Sequence, residues 1–149
     1  MAIIVGVDGS AESLQALRWA LEEARLRKTA VRVVHVWQYP VAVVISDPFL
    51  GGPEADPLLI DPSDLPRIAQ AHLAEVVRSV VADPSAVEQQ VVPGHPAEEL
   101  VAAAKDAELL VVGSRGRGGF SGLLLGSMSQ ACAQHARCPV VIVRGRDKT

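Results

Sequence analysis

Aromatic residues make up only 3% of this 149-residue chain, and there are two cysteines. Ring stacking therefore cannot dominate the core, which must be built from Val, Leu, Ile and Ala within a hydrophobic fraction of 49%. Two cysteines are too few for a secreted disulfide scaffold. No Cys or His lies close in spacing to Cys132 or Cys138, so they read as small apolar residues, not zinc ligands. No block of basic residues stands out and the net charge is −3, which argues against a broad nucleic-acid surface. No stretch approaches the roughly 18 apolar residues that span a bilayer. The opening MAIIVGVDGS has no basic leader, and Gly6 and Asp8 break its apolar run, so it is not expected to be a signal peptide. The expectation is a cytoplasmic protein with no membrane contact.

What is present is regular. The length suits one domain, residues 1–149. Short apolar runs at Ile3 to Val7, Val31 to Trp37, Val87 to Val92, Leu109 to Val112 and Pro139 to Val143 read as strands. Between them come helical patterns. Ser10 is placed to cap the first helix, whose Leu14, Leu17, Leu21 and Ala24 share a face. A second helix spans about Asp64 to Ala82, with Ile68, His72, Val76, Val77 and Val80 on one side. HPAEEL opens a third, with Pro96 in its first turn. A fourth starts near Ser127, where Ser127 and Gln130 have capping-box spacing. Residues 38 to 62 hold five prolines and read as a long loop. The polar Glu88, Gln89 and Gln90 suggest a sheet edge for the third strand. The alternation predicts a doubly wound α/β fold with helices on both faces of a parallel sheet. Strand orders 3-2-1-4-5 and 2-1-3-4-5 both suit it.

One stretch stands apart. GSRGRGGFSGLLLGS, from Gly113 to Ser127, holds six glycines, two arginines and three serines. In the first of those orders it follows a strand next to strand 1, at the crevice where ligands bind such sheets. Glycines let backbone amides approach an anion and form a nest. The helix starting near Ser127 aims its positive end at the same space. Arg115 and Arg117 add cationic side chains. In the middle, Phe120 and Leu123 to Leu125 form an apolar set that a solvated linker does not need.

Common phosphate motifs do not fit. A P-loop needs lysine near its end, and none lies between Lys105 and Lys148. The dinucleotide pattern G-x-G-x-x-G fails at Ser121, and strand 1 is followed by DGSAES instead. His35, His72 and His135 fall within predicted elements and read as packing residues, and His95 helps start a helix. Nothing in the sequence gathers a Ser-His-Asp set. Trp37 ends strand 2 at the ligand edge.

Gly113, Gly116, Gly126 and Ser127 complete the spacing G-x2-G-x9-G-S. With IIVGVDGS, VVHVW and CPVVIVR, this resembles the universal stress protein family in its ATP-binding branch, over the whole chain. The resemblance implies a single domain with an adenine nucleotide alpha hydrolase-like sheet in order 3-2-1-4-5. It also implies a homodimer through the last strand, 140–143, and ATP with Mg2+ in the crevice. By the same resemblance, Asp8 faces the ribose, phosphates or metal, and Val36 meets adenine through its backbone. Gly113, Gly116, Gly126 and Ser127 bind ribose and phosphates, with Ser114, Arg115, Met128 and Ser129 nearby. The function this implies is an ATP-dependent switch in stress response, and no catalytic residue stands out. The alternatives are a weak ATPase with Asp8 holding the metal, a cyclic-AMP-binding variant and a nucleotide-independent dimeric scaffold. No regulatory protein partner is legible.

Overall fold

A computed structural model of the chain describes residues 1–38, 62–114 and 125–145. Five parallel strands form one sheet: β1 Ala2–Gly6, β2 Ala30–Trp37, β3 Glu88–Pro93, β4 Leu109–Gly113 and β5 Val140–Val143, in the order β3-β2-β1-β4-β5. The helices are α1 Ala11–Arg27, α2 Leu65–Val80, α3 Pro96–Ala103 and α4 Ser127–His135. Short 3-10 turns precede α2 at Pro62–Asp64 and β3 at Pro84–Ala86.

The strands alternate between two cores because successive side chains point to opposite faces. Ile3, Val5, Val7, Val31, Val33, Leu109 and Val111 pack on one face with Ala16, Leu17 and Ala20 of α1 and Leu73 and Val77 of α2. Ile4, Val34, Leu110 and Val112 pack on the other with Leu100, Ala104 and Cys132. The inner strands are apolar on both sides because helices cover both faces. β3 lies at the sheet edge, as its polar residues suggest, and Arg32 of β2 pairs with its Glu88 at 3.0 Å.

Observed boundaries shift by a residue or two. β1 begins at Ala2 and ends at Gly6, although Val7 N–H still donates to Val34 O at 3.0 Å. α2 stops at Val80 because Val81 is extended, with φ −104° and ψ 121°. The sequence reading placed Ile68 on the buried side of α2, but Ile68 is 48% exposed. The buried stripe runs instead through Ala69, Leu73, Val76 and Val77.

The order puts β1 between β2 and β4. Chain connections run one way along the sheet through α1 and α2 and the other way through α3 and α4, so the winding reverses between β1 and β4. The chain segments leaving these two strands there frame the crevice.

Candidate functional site

The turn after β1 is held by its own side chains. Ser10 N–H donates to Asp8 Oδ1 at 2.8 Å, an Asx turn, and Gly9 takes the left-handed φ of 87° that follows. Ser10 then caps α1, as expected, its Oγ accepting from Ser13 N–H at 3.2 Å. Ser13 Oγ donates back to Ser10 O at 2.9 Å and accepts from Asp8 N–H at 3.3 Å. On the strand side, His35 Nδ1 lies 3.0 Å from Val7 O. A carbonyl oxygen only accepts, so Nδ1 carries the hydrogen. The ring of His72 on α2 packs edge-on against His35, with centroids 5.2 Å apart and planes at 62°. The two histidines thus meet behind the β1 turn.

Val5 pairs with Val111, and Gly6 with Val34. Continuing those registers puts Asp8 level with Ser114 on one side and Val36 on the other. Val36, half-buried, is paired with Val92 of β3.

Ser114 is where the glycine-rich stretch leaves the sheet. It is 3% exposed. Its N–H donates to Val143 O of β5 at 2.9 Å, and its Oγ donates to Glu12 Oε2 of α1 at 2.7 Å. Its carbonyl accepts from Gly126 N–H at 2.7 Å and Ser129 Oγ at 2.9 Å. The stretch therefore departs at Ser114 and returns at Gly126 through a closed neck. Gly113, just before it, is tightly packed: a Cβ there would lie 3.1 Å from the Glu12 carbonyl carbon, so α1 would have to give by a few tenths of an ångström. α1 comes that close to β4.

α4 starts differently from the sequence expectation. Its N-cap is Gly126, not Ser127, which is the first helical residue, and no side-chain cap hydrogen bond forms there. The capping box fails because Gln130 reaches past it: Nε2 donates to Leu125 O at 3.3 Å. The N-cap glycine thus offers the first-turn amides of α4 no side chain of its own. Ser129 is buried at 1% exposure, with its hydroxyl turned to the carbonyls of Ser114 and Gly126. Met128 Sδ accepts from the Cys132 thiol at 3.7 Å. Arg115 and Gly116 lie outside the described residues, as do Arg117, Phe120 and most of the segment read as the 38 to 62 loop.

The structure thus brings Asp8, Val36, Gly113, Ser114, Gly126, Ser127, Met128 and Ser129 to one end of the sheet. Sequence reasoning missed Glu12. Its one signal was an acid in the first turn of a helix, which the helix dipole alone would explain. Sequence reasoning also missed the contact between His35 and His72. No group of three or more His, Cys, Asp and Glu able to hold a metal occurs among the described residues. No helix among them is long and apolar enough to cross a membrane.

Strand order and crevice define a Rossmann-like α/β fold. The family model described as the universal stress protein family matches residues 1–144. A universal stress protein of Mycobacterium tuberculosis is 38% identical over 149 residues, covering 99% of this chain and 48% of that protein. One from Mycolicibacterium smegmatis is 36% identical, covering 98% and 49%. This chain thus spans about half the length of the curated relatives it matches. Among solved structures, UspA from Lactobacillus plantarum shares the fold at TM-score 0.71 and 22% identity, with 97% of each chain covered. A universal stress protein solved in complex with cAMP aligns at TM-score 0.64 and 24% identity, over 98% of each chain. One from Archaeoglobus fulgidus in complex with dAMP aligns at 0.57 and 24%, over 96% of this chain and 97% of that one. This chain belongs to the universal stress protein family.

Proposed function

We propose that the chain binds an adenine nucleotide, ATP with Mg2+, between the β1 turn and the neck of the glycine-rich stretch, and that occupancy acts as a switch in a cytoplasmic stress response. The observation that carries this reading is the neck itself. Gly126 N–H closes onto Ser114 O at 2.7 Å, level with Asp8, beside a helix start whose N-cap is a glycine without a capping side chain. First-turn amides of that kind suit phosphate oxygens. Solved relatives hold cAMP and dAMP, which supports the adenine class.

In this reading adenine lies against the Val36 backbone, and Asp8 faces the ribose, the phosphates or the metal. Gly113 and Gly126 frame the phosphates, with Ser127, Met128 and Ser129 offering α4 amides and Gly116 and Arg115 completing the loop. The Ser114 and Ser129 hydroxyls, already committed to Glu12 and to backbone carbonyls, shape the neck. Bound Mg2+ would neutralise polyphosphate charge beside Asp8.

The test is a thermal-shift titration with Mg-ATP on nucleotide-free protein. Ligand at a hundred times Kd should stabilise by about 2.7 kcal/mol. An unmoved melting temperature overturns the reading. Gly116→Val should abolish binding with the far-UV spectrum intact. The relative holding cAMP favours one second reading, a cyclic-nucleotide site; displacement of ATP by equimolar cAMP would support it. Hydrolysis stays a separate question, read as ADP release above an Asp8→Ala control.

A further inference from the structure

Glu12 sits in a slot made for it. A Cβ on Gly113 would come within 3.1 Å of Glu12's carbonyl carbon and its own Cβ, and a Cβ on Gly145 within 3.1 Å of its Cγ and Oε1. The absent side chain at the end of β4 lets the α1 backbone come close, and the one just past β5 leaves room for the carboxylate arm. From there Oε2 accepts from the Ser114 hydroxyl at 2.7 Å, a well-formed hydrogen bond. The same Ser114 is held by β5 through Val143 and by α4 through Gly126 and Ser129. Its backbone is fixed from two elements, β5 and α4, and Glu12 of α1 adds a hold on its side chain.

We propose that Glu12 is a positioning residue of the nucleotide site: it fixes the loop's neck from behind Ser114 and so sets nucleotide affinity without touching the nucleotide. The inference rests on the adenine-nucleotide reading. Gly113 lets the α1 backbone approach β4 at this point, and Gly145 leaves room for the Glu12 carboxylate arm itself. A residue serving only the α1 dipole would need neither the room at Gly145 nor the bond to Ser114.

Glu12→Gln and Glu12→Ala separate these roles. Gln keeps the acceptor oxygen and the shape but loses the charge, whereas Ala loses both. A dipole role makes the two variants alike. A neck role leaves ATP affinity of Glu12→Gln within about twofold of the parent and weakens Glu12→Ala about tenfold, the scale of one hydrogen bond. Ser114→Ala removes the same bond from the other side and should match Glu12→Ala. The double variant should bind no more weakly than either single one. Titration calorimetry at fixed Mg2+ reads all four. Amide exchange at Gly126 supplies a nucleotide-free readout and should quicken in Glu12→Ala. Parent-like binding by Glu12→Ala, equal losses in Gln and Ala, or additive losses in the double variant would each overturn the proposal. If the parent binds no ATP, the nucleotide reading itself has failed; unchanged Gly126 exchange in Glu12→Ala then sinks the positioning role as well.

Discussion

The Cys132 thiol is wholly buried, and that burial, with a smaller push from the neighbouring Cys138, raises its pKa from 9.0 to about 11. The folded state therefore holds this proton more tightly than the unfolded chain. The stability this contributes is complete below about pH 9 and is lost as pH rises from there through about pH 11. Urea titrations across that range should show a falling midpoint, and Cys132→Ala should flatten the slope. His35 carries a different consequence. Replacing it by Phe leaves the Val7 carbonyl without the Nδ1–H donor, and a lost partner of this kind costs about 1–3 kcal/mol. Chemical denaturation would measure it; an unchanged midpoint would mean that the bond holds nothing in place. At this scale the sequence was legible where a residue type announces its own geometry, as Ser10 does at the start of α1 or Gly9 in the turn. Glu12 was not, because its meaning lies in Ser114, 102 positions away, and in Gly145, which no sequence pattern singled out.

Among the elements, α4 offers the sharpest contrast between stability and binding. Gly126 adopts φ −72° and ψ 165°, a conformation open to any L residue. Gly126→Ser would supply the missing cap and raise the melting temperature by about 1 °C, since Ser exceeds Gly at this position by a few tenths of a kcal/mol. The new hydroxyl would take the amides assigned to phosphate, so ATP affinity should fall in the same protein. A rise in both quantities would refute that assignment. α1 and α2 together test the packing. Leu17→Ala in α1, at 0% exposure, should cost about 2–5 kcal/mol, and Ile68→Ala, at 48% exposure, much less. The strands were readable because doubly covered strands are apolar runs. The phase of α2 was not: Ile68, His72 and Val76 make as good a stripe as Ala69, Leu73 and Val76, and small Ala69 hides the true one. The supposed capping box failed because spacing alone does not say which residue first leaves the helix.

For the whole molecule, the two sheet edges differ. β3 ends the sheet with Glu88 paired to Arg32, whereas all four residues of β5, Val140 to Val143, are apolar and partly exposed. Such an edge invites pairing with a second copy, which is the dimer we propose. The carbonyls of Pro139 and Val143 face β4, so by strand alternation the N–H of Ile142 faces outward. Ile142→Pro removes that donor and should shift sedimentation at micromolar concentration toward monomer with the far-UV spectrum retained. A parent protein that sediments only as monomer would refute the dimer. Strand order 3-2-1-4-5 was one of two orders that the alternation allowed, and periodicity could not choose between them. The order is fixed by which strands pair across long sequence separations, information that no local pattern carries.

The tie between Ser114 and Gly126 also bears on how this chain can change. Its ends are held by β5, α1 and α4, so closing the segment between them has already been met by the framework. Chain-closure entropy grows slowly, about 0.6 kcal/mol for each doubling of length. The segment between Ser114 and Gly126 is therefore a natural place to graft foreign sequence. A loop series inserted there should fold with nearly constant stability, while each graft rewrites what the crevice accepts.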